Sequence, residues 1–259
     1  MPWNRQKWTS LGFITPKSGV RSSPRHHFHT IWQACWPAFL ICMERFIHWL
    51  RESSLIRVIA GFAFAAIILA LLGWLVTGPY RQFPVSFDTT IRYTMRQIQS
   101  PMWTALFLAV TRLGSTLVLI IIGCVCGIVF IGLRWFRPLL LLIVVMSGQA
   151  ALHQGFKLLF ARPRPPALIN YSSVESFSFP SGHAIAALCL YFVIAWSVTT
   201  RLENPAIKAA VWIFTVVLVF LIGMSRVYIG VHYPTDVLAG FLAALVWTVA
   251  ALSIDRRPL

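Results

Sequence analysis

The dominant pattern along the chain is a series of long uncharged, apolar runs separated by short basic segments. Six of these runs have roughly 17 to 23 residues, and a helix needs about 17–25 mostly apolar residues to cross a bilayer. They are Val58–Tyr80, Leu113–Leu133, Pro138–Phe156, Ala184–Thr200, Ala209–Ser225 and Val237–Ile254. The pattern therefore predicts an all-α integral membrane protein with six transmembrane helices.

Two shorter apolar runs do not fit the length of a span. Ile31–Met43 contains a proline and is closely followed by Arg45 and Arg51, which favours a segment at the membrane interface. Met102–Thr111 is too short to cross the bilayer alone. We expect it to lie against the outer surface before the second span.

The composition supports a membrane protein and excludes several other classes. Hydrophobic residues make up 58% of the chain and charged residues only 11%, with a mean hydropathy of +0.75. Soluble domains are about 45–50% apolar and about 25% charged. A soluble globule, a disordered chain and a disulfide-rich secreted scaffold are therefore excluded. Cys124, Cys126 and Cys189 lie inside apolar runs and are best interpreted as small buried hydrophobic side chains.

The charge of the chain is strongly basic, with 22 Lys and Arg against 7 Asp and Glu and a net charge of +15. In a soluble protein this excess would suggest nucleic acid as the partner, but here the basic residues lie between the spans. With six spans, about 14 basic residues fall on the side of the two termini and about 8 on the opposite side, and the positive side of a membrane protein faces the cytoplasm. We therefore expect a multi-pass protein of the cell (inner) membrane with both termini cytoplasmic and no nucleic-acid partner.

The same reasoning divides the chain into three parts. Residues 1–56 form a basic cytoplasmic region that can include an interfacial helix, residues 57–254 form the helical domain, and residues 255–259 form a cytoplasmic tail. The first 43 residues lack acidic side chains, a composition shared by organellar transit peptides and basic cytoplasmic tails. We favour the tail.

Side chains that could bind an anion and act on it lie at the predicted outer ends of spans three to six. Lys157 and Arg164 follow the third span, Ser181, Gly182 and His183 precede the fourth, Arg226 follows the fifth, and His232 and Asp236 precede the sixth. The three cations and the free amides at a helix N-terminus together favour phosphate. Because the topology brings them to one membrane face, the sequence predicts a phosphate site there.

The remaining residues of this set suggest chemistry on that phosphate. His232 and Asp236 are four apart, so the carboxylate can fix the imidazole tautomer and leave the other ring nitrogen free to attack. His183 could protonate the leaving oxygen as a general acid.

Each residue alone also has an ordinary structural interpretation. A boundary histidine can be a satisfied polar residue, a basic residue at the end of a span can be an anchor, and Ser-Gly can be a helix N-cap. The combination on one face favours an active site. The seven carboxylates are scattered, so we expect neither a metal ion nor another cofactor.

The spacing of these residues resembles the full three-part signature of the type 2 phosphatidic acid phosphatase superfamily. The signature is carried by Lys157 with Arg164-Pro165, by the run from Pro180 to His183, and by Ser225-Arg226 with His232 and Asp236. The resemblance covers about residues 57–254, including the six-helix arrangement, and leaves the basic N-terminal region outside.

The resemblance implies metal-independent hydrolysis of a phosphomonoester or pyrophosphate through a phosphohistidine. It makes His232 the nucleophile, Asp236 its orienting partner and His183 the general acid. The phosphoryl oxygens would be held by Lys157, Arg164, Ser181, Gly182 and Arg226. Arg162, Tyr228 and Tyr233 lie outside the strict motif, and packing or anchoring is their expected role.

Four functional interpretations remain open on the sequence. The protein could be a lipid-phosphate phosphatase facing the periplasm or exterior, a phosphotransferase that uses a lipid acceptor, a non-catalytic carrier or regulator that binds lipid phosphates, or an enzyme of vanadate-dependent halide oxidation. The intact His183, His232 and Asp236 favour an enzyme, and soluble proteins are the usual setting for the last class. The substrate is expected to be a membrane phospholipid or prenyl phosphate such as phosphatidylglycerol phosphate, undecaprenyl pyrophosphate, phosphatidic acid or a lipid A phosphate. The oligomeric state is left open.

Overall fold

The computed structural model describes residues 54–79, 81–169 and 176–253, and within these residues every regular element is an α-helix. The helices are α1 (Ser54–Thr77), α2 (Gln82–Gln97), α3 (Pro101–Leu113), α4 (Thr116–Gly132), α5 (Phe136–Phe160), α6 (Gly182–Thr199), α7 (Pro205–Ile229) and α8 (Pro234–Leu252). The predicted interfacial segment Ile31–Met43 and the tail 255–259 lie outside the described residues.

Five helices in the described part of the chain, α1, α5, α6, α7 and α8, are each long and apolar enough to cross a membrane. They correspond to five of the six predicted spans. The predicted second span coincides with α4, which meets α3 at an angle of 48° after a two-residue break. The described chain thus has five such helices, or six if α3 and α4 are counted as one bent span.

The break between α3 and α4 lies against the helices that carry the candidate site. Ser115 caps α4 by accepting a hydrogen bond from the amide of Val118, 3.5 Å away. A Cβ atom placed on Gly114 would be 2.4 Å from Ile222 and 3.1 Å from the ring of His183, so the chain passes close to α6 and α7 here. The run Met102–Thr111, expected on the outer surface, forms most of α3 and packs on α7, where the rings of Phe107 and Tyr228 are 4.5 Å apart.

The pattern of apolar runs did not predict α2, because this helix mixes polar, charged and apolar residues without a long apolar run. Its inner face buries Asp88 and brings Ile91 and Met95 against Val227 and Val237. This spacing of four residues is the usual pattern of one helix face. The helix therefore packs across the end of the bundle where α7 ends and α8 begins.

The centre of the bundle is formed by α6 and α8. At least half of the residues in the most apolar stretches of these two helices are buried, against about a fifth in α1, α5 and α7. The outer faces of the peripheral helices expose large apolar side chains such as Leu117, Ile128 and Phe214, as expected for lipid contact. Between α5 and α8, the indole nitrogen of Trp247 donates a 2.9 Å hydrogen bond to the carbonyl of Val145.

Candidate active site

The ends of four helices meet around one cavity of about 880 Å³. Six of the eight predicted site residues line it, namely Lys157, Arg164, Gly182, His183, Arg226 and His232. The other two, Ser181 and Asp236, are fully buried, and the amide of Ser181 donates a 3.1 Å hydrogen bond to the carbonyl of Asp236. The structure therefore brings the predicted set together at the C-terminal ends of α5 and α7 and the N-terminal ends of α6 and α8.

The ring of His232 is oriented by an arginine on one side. Arg164 Nη1 lies 3.2 Å from His232 Nε2 and donates to the carbonyl of Val231 at 2.7 Å. A guanidinium group can only donate, so Nε2 is the accepting nitrogen and the ring proton is on Nδ1. Ser176 holds the rest of the guanidinium through its carbonyl at 2.7 Å and its hydroxyl at 3.0 Å. The lone pair of Nε2 thus lies beside a cation that lines the cavity.

On the other side of the ring is Asp236, in the first turn of α8. Its Oδ2 atom lies 3.6 Å from His232 Nδ1 and accepts a 2.9 Å hydrogen bond from the amide of Tyr233. The helix begins at Pro234, a first helical position at which proline loses no hydrogen bond. The carboxylate and the imidazole are adjacent, as the four-residue spacing predicted.

The protonation state of His232 follows from its surroundings. Burial lowers the pKa of His232 to about 4, while the neighbouring carboxylate of Asp236 raises it and the cations Arg164 and Arg226 lower it further. The imidazole is therefore neutral near pH 7. A neutral ring with an available Nε2 is the form that can act as a nucleophile.

The start of α6 supplies a second side of the cavity. Ser181 occupies the N-cap position, yet its buried hydroxyl has no hydrogen-bond partner among the described residues and does not cap the helix. Gly182 packs so closely on the ring of His153 that a Cβ atom there would be 2.7 Å from Nε2. A buried hydroxyl and helix N-terminal amides at the edge of a cationic cavity are groups that can bind an oxyanion.

The two remaining cations belong to α5 and α7. Lys157 is half-buried near the end of α5. Arg226 is buried near the end of α7, and its Nη1 atom donates a 2.8 Å hydrogen bond to Thr111 Oγ1 of α3. The short helix α3 therefore helps to hold one of the phosphate-binding candidates.

The cavity also has an apolar arm that leads away from the cations. Its walls come from α4 and α5 and include Leu119, Gly123, Gly127, Leu139, Ile143 and Met146. The stretch of α4 along this arm runs over 12 residues from Thr116 to Gly127, a rise of roughly 16 Å. A cationic end joined to an apolar arm has the shape of a site for a charged head group with a hydrocarbon chain.

Two buried charges next to the site were not identified from the sequence as functional. Arg162 was expected only to pack or to anchor, but its Nη1 lies 2.5 Å from Asp236 Oδ1 and its Nη2 lies 2.8 Å from Asp88 Oδ2. The guanidinium also stacks 4.0 Å from the centre of the Tyr233 ring. Asp88 is one of only seven acidic residues in the chain, and that scarcity was the signal that could have singled it out.

The sequence analysis also missed His153, which lines the cavity. It lies four residues before Lys157, so the two share one face of α5, and this spacing was available in the sequence. Tyr228, in contrast, is buried away from the cavity and hydrogen-bonds Thr104 Oγ1 at 2.9 Å. Its placement fits the packing role expected from the sequence.

No group of three or more His, Cys, Asp or Glu side chains that could hold a metal ion occurs in residues 54–79, 81–169 and 176–253. The predicted independence from metal ions stays a prediction, to be tested in solution.

Comparison with known proteins relates this arrangement to a family. The PAP2 superfamily model matches residues 138–258. Phosphatidylglycerophosphatase B of Bacillus subtilis is 36% identical over 179 residues, which cover 66% of this chain and 85% of the relative. Undecaprenyl-diphosphatase of Sulfolobus acidocaldarius is 32% identical over 105 residues, which cover 39% of this chain and 44% of the relative.

A solved structure shows the same relationship in three dimensions. The crystal structure of the first transmembrane PAP2 type phosphatidylglycerolphosphate phosphatase from Bacillus subtilis superimposes with a TM-score of 0.62 at 31% identity. The superposition covers 75% of this chain and 94% of that one. The matching sequence and the shared membrane fold show that this chain belongs to the PAP2 superfamily.

Proposed function

We propose that this protein hydrolyses the terminal phosphate of a membrane lipid phosphate or pyrophosphate through a phosphohistidine on His232. The observation that carries the proposal is the position of the neutral His232 ring, whose Nε2 lies beside Arg164 at the cationic end of a cavity with an apolar arm. The residue types agree with a phosphatase mechanism that needs no metal ion.

In the first step the phosphoryl group binds among the cations and the amides at the start of α6. His232 Nε2 attacks phosphorus, so that a P–N bond forms and the P–O bond to the lipid breaks. His183 donates a proton to the departing lipid oxygen. The positive charge that develops on the imidazole is stabilised by Asp236 beside Nδ1.

In the second step water replaces the lipid. The now neutral His183 accepts a proton from the water, whose oxygen attacks phosphorus as the P–N bond breaks. Inorganic phosphate leaves and His232 returns to its neutral form. Oxygen atoms of the phosphoryl group stay paired with Lys157, Arg164 and Arg226 throughout, and this pairing offsets the charge of the transition state.

The proposed substrates are lipids with small phosphate or pyrophosphate heads. The apolar arm between α4 and α5 can take a hydrocarbon chain while the head meets the cations. The names of the two relatives, a phosphatidylglycerophosphatase and an undecaprenyl-diphosphatase, support this class. Broad activity on such lipids is expected, because residues 165–180 form a short connection with a single carboxylate, too little to enclose a large polar head.

The proposed topology follows from the charge distribution. The bent pair α3–α4 serves as the second of six spans, both termini are cytoplasmic, and the site opens at the outer ends of spans three to six. The excess of basic residues on the side of the termini supports this orientation.

Phosphate release by the purified protein tests the proposal. The wild type in detergent micelles is expected to release inorganic phosphate from dioleoyl phosphatidic acid, phosphatidylglycerol phosphate or undecaprenyl pyrophosphate. His232→Ala should release none from any of them. Robust release by His232→Ala would refute the assigned nucleophile, and a phosphorylated lipid in place of inorganic phosphate would instead identify a phosphotransferase.

A further inference from the structure

A chain of buried charges extends from His232 to the helix α2. Asp236 lies beside the imidazole, Arg162 contacts the far oxygen of Asp236 at 2.5 Å, and Asp88 contacts Arg162 at 2.8 Å. The side chains of all three linking residues are at most 7% exposed. The contacts join α2, the segment after α5 and the start of α8 to the candidate nucleophile.

Asp88 is fixed by more than its contact with Arg162. Its Oδ1 accepts a 2.9 Å hydrogen bond from the amide of Thr235, and its Oδ2 accepts a 2.8 Å hydrogen bond from the hydroxyl of the same residue. Arg162 Nη1 also lies 2.9 Å from Thr235 Oγ1. The carboxylate thus binds both the guanidinium and the first turn of α8, which carries Asp236.

The energetics of this arrangement suggest a role beyond stability. Removing two or three charges from water costs several kcal/mol per ion, and well-packed apolar side chains are often equally stable or more stable in such places. Arg162 does not line the cavity, so it does not contact the phosphate directly. Among its side-chain contacts, the one with Asp236 leads directly to the imidazole, so we expect an effect of Arg162 on the reaction to pass through that carboxylate.

We propose that Arg162 and Asp88 are positioning residues that hold the Asp236 carboxylate against His232 and set the charge facing the imidazole. This inference rests on the proposed function. Within the trio, one guanidinium lies between two carboxylates, which leaves one net negative charge to stabilise the imidazole as it becomes cationic during attack. Without Asp88, the charge of Arg162 would cancel that of Asp236.

Substitution of Arg162 and substitution of Asp88 are expected to shift the acid limb of the pH profile of kcat/KM in opposite directions. Arg162→Gln removes a buried cation and leaves two carboxylates, so the pKa of His232 should rise and the acid limb of kcat/KM should move to higher pH, by roughly half a unit to one unit. Asp88→Asn leaves the cation uncompensated, so the pKa of His232 should fall and the limb should move to lower pH. The ionisation of the substrate is common to all variants and cancels in the comparison.

Other charged and titratable groups around His232 are unchanged in these variants. They are Asp236 of α8, Arg164 after α5, Arg226 of α7, His183 of α6, His153 and Lys157 of α5, and, beside the two carboxylates, Arg92 of α2 and Tyr233 before α8. If the acid limb shifts in opposite directions in the two variants, the shifts can therefore be assigned to the charges of Arg162 and Asp88.

The experiment measures kcat and KM on dioleoyl phosphatidic acid micelles from about pH 3 to pH 8 for the full-length protein, a range that includes the acid limb expected near the pKa of His232, about 4. Arg162→Gln and Asp88→Asn are expected to lower kcat roughly 10–100-fold with KM within about threefold of the wild type, the range typical of residues that orient a reacting group. Glu203→Gln makes the same carboxylate-to-amide change as Asp88→Asn at an exposed position after α6 and should behave as the wild type.

Several outcomes would overturn the inference. They are a kcat within threefold of the wild type in both variants, an effect on KM alone, and an equal loss at every pH without a shift of the limb. If either variant fails to fold, Arg162→Lys and Thr235→Val decide in the same way, with a lower kcat at constant KM as support and an unchanged kcat as refutation. Activity in His232→Ala would instead refute the proposed function, so the two failures are distinguishable.

Discussion

Replacement of Gly182 by alanine inserts a methyl group into the contact between the start of α6 and the ring of His153. The new Cβ atom would be 2.7 Å from Nε2 and 2.9 Å from Cε1 of that ring. Ordinary contacts of this kind begin near 3.4 Å, so the helix start and the ring must separate by about 0.7 Å. Elsewhere in a helix the same substitution stabilises the protein by about 0.5–1 kcal/mol. A loss of activity in Gly182→Ala would therefore be due to the close contact with His153 and not to a weaker helix.

The expected loss of kcat/KM in Gly182→Ala follows from the hydrogen bonds that the amides of α6 would make to the phosphoryl group. Lengthening such a bond by about 0.7 Å takes it from about 2.9 Å to about 3.6 Å, beyond hydrogen-bond distance. A hydrogen bond to a charged group contributes about 1.5–3 kcal/mol. We therefore expect Gly182→Ala to lower kcat/KM on dioleoyl phosphatidic acid micelles by roughly 10- to 100-fold.

Two further variants make the assay decisive. Gly155→Ala on α5 meets no atom within 4 Å and should behave as the wild type. The double variant Gly182→Ala/His153→Ala removes the ring that the new methyl group meets, so its kcat/KM should return to that of His153→Ala alone. Activity of Gly182→Ala within threefold of the wild type would refute the reasoning, as would a double variant that is slower than His153→Ala alone.

Four other predictions address the mechanism, the topology and the substrate. His183→Ala should lose less activity on an activated aryl phosphate than on a lipid phosphate, because a good leaving group needs little protonation, and equal losses on both would argue against its role as the acid. Activity should survive EDTA and be inhibited by vanadate, whereas loss with EDTA and recovery with Mg²⁺ would show a metal mechanism. In a variant whose five native cysteines are replaced, Ser172→Cys should react with an impermeant thiol reagent in intact cells, and labelling only after permeabilisation would invert the topology. The specificity constant should be much higher for a long-chain lipid phosphate in micelles than for glucose phosphate, and the reverse order would contradict lateral entry of a lipid.

Five helices of spanning length and the clustering of the candidate site residues could be predicted from the sequence, because both depend on local features. Bilayer thickness sets the length of an apolar run, and the signature residues lie within a few positions of the helix ends. The sequence separated Met102–Thr111 from the following run and suggested the outer surface for it. That this run forms a helix joined to α4 at 48° was not predicted, because the bend depends on contacts of Gly114 with α6 and α7.

The buried pairs around Arg162 could not be predicted in the same way. Asp88 precedes Arg162 by 74 residues and Thr235 by 147 residues, and no sequence period links such distant positions. Helix α2 was missed for a related reason. Its inner face carries the charged Asp88, whose charge is compensated by Arg162 only in the folded structure. Pairs of buried charges that are distant in the chain therefore could not be predicted from the sequence alone.

The hydrogen bond from Trp247 to Val145 fixes how far α8 can slide along α5. Trp247 lies eleven residues after Asp236, and Val145 lies twelve residues before Lys157. At about 1.5 Å per residue, each helix measures roughly 17 Å from this bond to its site residue. The hydrogen bond therefore lies at nearly the same axial distance from Asp236 on α8 and from Lys157 on α5. A slip of one helical turn would shift Asp236 relative to Lys157 by about 5.4 Å along the helix axes. The axial register of these two candidate site residues is therefore set in the middle of the bundle, roughly 17 Å from the helix ends that carry them.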